Sequence, residues 1–238
     1  MRQGKEDFEI GSFVHVYNRG NRKQAIVRDG RDRWHFLQML YYFNNEAHFA
    51  NPFREAKEVL KMNFHDQLFW PSIWGERKPL VKIIAFALVE NHYHFLLKEI
   101  REEGISSFMR RLGTGMAKYF NTRYQEVGGL FQGSYKAKVI NEEVYLQYVS
   151  VYIQVKNIFE LYPGGLERAL KEFDAAYDWA VKYPYCSLGD YAGIRNSPII
   201  DKDLLGEMFP TPEKYRQFVH RCLTRVNLEM QLGALTLE

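Results

Sequence analysis

The sequence is poor in cysteine, in unbroken apolar runs and in net charge, and each scarcity narrows what the chain can do. Its two cysteines, Cys186 and Cys222, stand far apart and match no zinc or redox spacing. No disulfide framework is implied, and both read as reduced thiols. Charged residues interrupt every apolar stretch well before the ~20 residues that a membrane span needs, and the opening MRQGKEDFEIG has no apolar signal core. A soluble, cytoplasmic protein is expected. There is no internal repeat, low-complexity tract, phosphate-cradling glycine loop or Ser-His-Asp arrangement. The net charge is only +3, from 32 Lys and Arg against 29 Asp and Glu, so bulk electrostatics argues weakly for an anionic partner.

What is present says more. With 238 residues, 46% hydrophobic and 16% aromatic, the chain can bury a sizeable core in one large domain, or in one domain with an extension. Basic residues gather beside aromatics in three places: Arg19, Arg22 and Lys23 in NRGNRK; Arg110, Arg111, Lys118 and Arg123; and Lys136 and Lys138 in SYKAK. Lysine and arginine next to stacking surfaces suit a nucleic-acid backbone and its unpaired bases. Solvated faces carry the same composition, so this signal stays open on its own.

Residues 13–17, FVHVY, alternate as a strand, and NRGN after them is a turn signal. Trp34, Leu37, Leu40 and Tyr41 recur at helical spacing, predicting a helix from Asp29 to about His48. Residues 49–79, with three prolines, a possible short helix in REAKEVLKM and the aromatic group FWPSIW, read as an insertion. LVKIIAFALV (80–89) and HYHFLLK (92–98) read as two strands joined by a tight hairpin at Glu90 and Asn91. From Gly104, the residues Ile105, Phe108, Met109, Leu112, Met116, Tyr119 and Phe120 describe an amphipathic helix that ends near the glycines of VGGLFQG. SYKAKVI (134–140) alternates as a strand, and Asn141 is expected to cap a helix over 142–157. Beyond YPGG, LERALKEFDAAYDWAVKY reads as helical, YPYCSLGDYAG as a loop packed by its aromatics, and 211–232 as a final helix. The core is expected over residues 11–160, in the order βα then ββαβα, an α+β sandwich with helices on an antiparallel sheet. Residues 161–238 form a helical C-terminal extension.

Two groups of residues can carry chemistry. Alternate side chains of a strand share a face, so His92 and His94 project together while Tyr93 points the other way. Two imidazoles about 7 Å apart along a strand can reach one divalent ion, although a hydrogen-bonded or half-exposed pair shows the same spacing. On the helix over 142–157, Tyr145, Tyr148, Tyr152 and Lys156 lie on one stripe. Such a stripe can simply pack on the sheet, yet three hydroxyls and an ammonium make a poor dry face. A tyrosine beside a metal-bound phosphate can act as a nucleophile. His15 on the first strand reads as a structural histidine or as a neighbour of the metal. His35, His48 and His65 have no partner at ligand spacing.

Taken together, NHYHFLL, LFQGSYKAKVI and the helix carrying YIQVKN resemble the HUH-type tyrosine transposases of the insertion-sequence-200 type, including the REP-associated tyrosine transposases. VHVYNRGNRKQAI, RDRWHFLQML, GTGMAKYFNTRY and YPYCSLGDYAG extend the resemblance over residues 13–193 in the same order. It implies a ferredoxin-like HUH nuclease fold with His92 and His94 as ligands of Mg²⁺ or Mn²⁺. Tyr152 becomes the nucleophile, with Tyr148 in reserve, on single-stranded or hairpin DNA, through a 5′-phosphotyrosine intermediate. Arg19, Arg22, Lys23, Arg110, Arg111, Lys118, Lys136 and Lys138 would contact the DNA, and a homodimer is possible. Two positions depart from the pattern. Lys156 stands where the family's metal-completing Asn or Gln is found, and Ser134 where it has an arginine. These leave an active transposase with an altered site, in which Lys156 itself contacts the phosphate, or a domesticated relative that binds DNA hairpins and cleaves weakly. A metal-dependent hydrolase with no DNA role is the third reading.

Overall fold

In the computed structural model, residues 8–49, 52–55 and 68–224 are described. The elements run β1 (Phe13–Arg19), α1 (Gly30–Tyr42), β2 (Val81–Leu88), β3 (His92–Glu99), α2 (Gly104–Tyr124), β4 (Lys136–Ile140) and α3 (Glu143–Val151). The strands form one antiparallel sheet in the order β2-β3-β1-β4. A βαββαβ chain with this order is a ferredoxin-like α+β sandwich.

Strand alternation divides the sheet between two cores. Val14 and Val16 of β1 and Tyr93, Phe95 and Leu97 of β3 are buried with Phe36 and Leu40 of α1 and Phe108, Leu112 and Met116 of α2. Each such aliphatic side chain contributes about 1.5–3 kcal/mol on burial. The opposite face receives α3 through Leu146 and Val149, together with Ala85, Ala87 and Leu96 from the sheet. In β2 the register slips between Ile83 and Ala85. The extra residue lets Ile83 and Phe86 serve one core and Ala85 and Ala87 the other.

Side-chain traps set the element ends. Asp29 caps α1 by accepting from Asp32 N at 3.0 Å. The helix stops at Tyr42, short of His48, because Asn44 turns inward: its Oδ1 accepts from Leu80 N and Val81 N, and its Nδ2 donates to Val81 O. At Gly104, a Cβ would lie 2.3 Å from Leu80 O and 2.5 Å from Glu99 Oε1. Glycine there admits the Glu99 carboxylate, which accepts from Ile105 N at the start of α2. Asn141 does not cap α3. Glu142 holds that position, without a side-chain cap bond.

After α3 come a π-helical turn (Tyr152–Lys156), a closing turn (Asn157–Phe159), α4 (Gly165–Lys171), α5 (Phe173–Val181), α6 (Leu188–Tyr191), α7 (Asp203–Met208) and α8 (Pro212–Thr224). These share the core of α3 through Phe173, Tyr177, Leu188, Tyr215 and Val219. The segment from Tyr183 to Tyr191 covers the outer edge of β2: Leu88 N donates to Tyr185 O, Ser187 N to Phe86 O, and Tyr191 Oη to Ile84 O. The exposed edge of β4 carries Lys136 and is only five residues long, features that discourage edge-to-edge pairing. The short helix expected within REAKEVLKM lies largely outside the described residues, as do residues 225–232, where the final helix is expected to continue, and His65. Among the described residues no helix is long and apolar enough to cross a membrane.

Candidate active site on the sheet face below the tyrosine helix

The register gathers the site. Across β1 and β3, Arg19 pairs with His92, Tyr17 with His94, and His15 with Leu96; across β1 and β4, Tyr17 pairs with Lys136 and His15 with Lys138. All these residues therefore project from one face. His92 Nδ1 is 2.7 Å from Asn91 Oδ1, which leaves Nε2 as its other nitrogen. His94 Nδ1 is 2.9 Å from His15 Nε2. His94 Nε2, His15 Nδ1 and Arg19 Nε are buried without a hydrogen-bond partner.

Burial governs the charge of the three imidazoles. Desolvation, reinforced by Lys138, lowers His15 to about 3. Desolvation, with Arg19 and Lys156 nearby, lowers His92 to about 4. His94, buried beside His15 and His92, is held well below the usual histidine range. All three are neutral at neutral pH, the form in which imidazole binds metal.

Tyr152 lies across this cluster. It is 3% exposed, and its ring meets His94 edge-on at 5.3 Å and His15 at 5.9 Å between centroids. Tyr148, one turn earlier, packs against Phe218 of α8 instead, and Tyr145 is exposed. The backbone stays α-helical from Glu143 to Val151 and widens into a π turn from Tyr152 to Lys156. Such turns are frequent at functional sites. The turn is held from two sides. Asn157 Nδ2 donates to Tyr152 O at 3.0 Å, and buried Gln154 accepts from Ser187 Oγ at 2.7 Å and donates to Tyr215 Oη at 2.9 Å. Lys156 Nζ is 5.5 Å from the Tyr152 ring centroid and pairs with Glu160 at 2.7 Å.

The basic residues divide by face. Arg19, Lys136 and Lys138 share the histidine face, and Arg22 and Lys23 are exposed in the turn after β1. Arg110, Arg111 and Lys118 lie on α2, whose layer packs on the opposite face. Of these, Arg111 is committed to the chain itself, donating from Nη1 to Asn45 O at 2.6 Å. Ser134 is exposed beside the loop where Gln132 N donates to Arg19 O.

Residues 42–156 match the family model described as "Transposase IS200 like". The match spans 115 of the 238 residues, just under half of the chain. No curated protein matches the chain. Among solved structures the chain is similar to a REP-associated tyrosine transposase bound to a REP hairpin, at 12% identity and a TM-score of 0.44, over 84% of this chain and 89% of that one.

The matched segment contains His92, His94, Tyr152 and Lys156, but begins after β1 and therefore excludes His15, Tyr17 and Arg19. Alternation in FVHVY already puts His15 and Tyr17 on one face, but Arg19 is expected in the turn after the strand, whereas β1 runs on to Arg19. What alternation could not supply was the partner strand and register that bring His15 against His94. Gln154 had no signal at all, since its partners lie 33 and 61 residues away. Among the described residues no three of His, Cys, Asp and Glu are grouped to hold a metal. The pair His92 and His94 nonetheless fits a divalent ion as a two-nitrogen site: the rings are neutral, share a face, and present one buried, unpartnered Nε2 at His94. Phosphate and water oxygens suit the remaining positions.

Proposed function

We propose that the chain is a metal-dependent DNA strand transferase that cleaves and rejoins single-stranded DNA beside a hairpin. The observation that carries this reading is Tyr152, buried against His94 and His15 of its own chain. No second copy is needed to bring tyrosine and histidines together. Tyr152 Oη attacks a phosphodiester, forming an O–P bond to the 5′ side while the P–O3′ bond breaks. The phenolic proton is released as the departing O3′ takes one up, leaving a 3′-OH and a 5′-phosphotyrosine. Atoms and charge balance, and the step reverses without external energy. Mg²⁺ or Mn²⁺ held by His92 and His94 would neutralise phosphate charge and stabilise the leaving oxygen. Arg19, Lys136 and Lys138 supply positive charge on the same face for the strand, with Arg22 and Lys23 beside them.

Incubating the full chain with fluorescent hairpin oligonucleotides and Mn²⁺ tests this. A covalent adduct is expected, lost in Tyr152→Phe and kept in Tyr148→Phe. No adduct across a broad panel of hairpins sinks the enzyme reading. One observation favours a second reading, a hairpin binder that cleaves weakly: Lys156, a cation paired with Glu160, stands where the family has a neutral ligand. That reading predicts salt-sensitive hairpin binding with no adduct.

A further inference from the structure

His15 lies outside the matched segment, and the phosphoryl-transfer step above assigns it nothing. Its Nε2 nevertheless sits 2.9 Å from His94 Nδ1, with the rings 18° from parallel and 0% and 1% exposed. A hydrogen bond between two neutral imidazoles has one donor, so the two tautomers are coupled. If His94 Nδ1–H donates, His94 Nε2 keeps its lone pair. If His15 Nε2–H donates, His94 Nε2 carries a proton and cannot ligate. The outer nitrogens of both rings are buried and unpartnered, so no second hydrogen bond on either ring opposes this coupling. The rings of Tyr17 and Tyr152 enclose His15 at 5.1 and 5.9 Å, and Lys138 faces it from β4.

We propose that His15 is a positioning residue: its Nε2 accepts the His94 Nδ1 hydrogen and thereby presents the His94 Nε2 lone pair to a divalent cation shared with His92. The inference rests on the metal-site reading above. Partners of this kind fix the orientation and tautomer of a ligating histidine, and their loss typically costs about 10–100-fold in metal affinity. His92 has its own such partner in Asn91, so the two ligands are oriented independently.

The test uses Mn²⁺ titration of the full chain, read by the electron paramagnetic resonance of free Mn²⁺, together with ¹⁵N imidazole spectra of the metal-free protein. His15→Leu removes the acceptor, and His15→Gln can replace it, because a glutamine amide reaches about as far as Nε2. His15→Leu is expected to weaken Mn²⁺ binding by about 10–100-fold and His15→Gln by no more than about threefold. In the spectra, His94 should carry its proton on Nδ1 in the wild type and in His15→Gln, and shift it to Nε2 in His15→Leu. If His15→Leu fails to fold, His15→Asn, polar but too short to reach His94, should show the same loss. A folded acceptor-lacking variant with wild-type Mn²⁺ affinity overturns the proposal, as does a wild-type His94 protonated on Nε2. If the wild type binds Mn²⁺ no better than His92→Ala, the metal-site reading fails separately. The metal-free spectra then decide the His15 role alone, upheld by a His15-dependent Nδ1 proton on His94 and refuted without one.

Discussion

Gln154→Leu cuts the link between the tyrosine helix and the C-terminal segment while nearly conserving volume. The wild-type side chain, 0% exposed, spends its oxygen on Ser187 Oγ and its nitrogen on Tyr215 Oη. Neither partner is orphaned by the change: Ser187 Oγ can turn to Phe86 O at 3.2 Å, and Tyr215 Oη keeps Ser150 Oγ at 3.2 Å. The loss is therefore two neutral hydrogen bonds, about 0.5–1.5 kcal/mol each, or about 1–3 kcal/mol in total. Tyr215→Phe strands the Gln154 amide and costs a similar amount. The double variant should fall short of the sum by about 1 kcal/mol, since both changes remove the same bond. Urea unfolding of the full chain measures all three. Because Gln154 lies in the π turn that begins at Tyr152, adduct formation at a temperature where the variants are fully folded should slow by about tenfold, equivalent to about 1.4 kcal/mol of lost positioning. Additive stabilities together with an unchanged adduct rate would refute the view that the tail holds the tyrosine in place.

Three further outcomes follow from other parts of the fold. Replacing Lys136 and Lys138 with alanine should reduce the slope of log affinity against log salt for a DNA hairpin by about 2, whereas Arg110→Ala with Lys118→Ala, on the far layer, should leave it unchanged; the reverse pattern in fluorescence anisotropy would relocate the DNA. Buried Asp32 accepts from Arg28 N at 2.8 Å, Tyr119 Oη at 2.9 Å and Tyr124 Oη at 2.7 Å, and pairs with Arg123. Asp32→Ala should thus cost about 3–5 kcal/mol in urea unfolding at neutral pH, and a cost under about 1 kcal/mol would mean the network is dispensable. Asp203 is lowered to about 2: burial raises it, but the ammonium groups of Lys82 and Lys98, each at 2.7 Å, outweigh burial. A depressed folded-state value means its stabilisation is complete above the unfolded value of 3.8 and is lost as pH falls from about 4 toward 2. In Asp203→Asn that part of the acid transition should disappear, which thermal melts across the window will show.

Which parts of this molecule could be read from sequence depends on the range of the interactions that decide them. The strands 13–17, 80–89 and 92–98 and the helix from Gly104 declare themselves because their periodicity is local, and it also puts His92 and His94 on one face. The helix from Asp29 declares its start, where Asp29 caps it, but not its end, because Asn44 reaches the backbone of Leu80 and Val81, 36 and 37 residues on. Counting at 3.6 residues per turn makes Tyr145, Tyr148, Tyr152 and Lys156 equivalent. The tail breaks that equivalence by setting Phe218 against Tyr148, and it anchors the π turn at Tyr152–Lys156 through Ser187 and Tyr215. His15 is the instructive case, since alternation within β1 was sufficient to choose its face and insufficient to choose its neighbour. The pairing of β1 with β3 turned a lone histidine into a hydrogen-bonded partner of His94. The chemistry of this face therefore depends on sheet register as much as on residue type. A one-residue slip of β1 against β3 would put His15 and Tyr17 on the α1 and α2 side of the sheet and leave His94 without its partner, though every motif in the sequence would still be there.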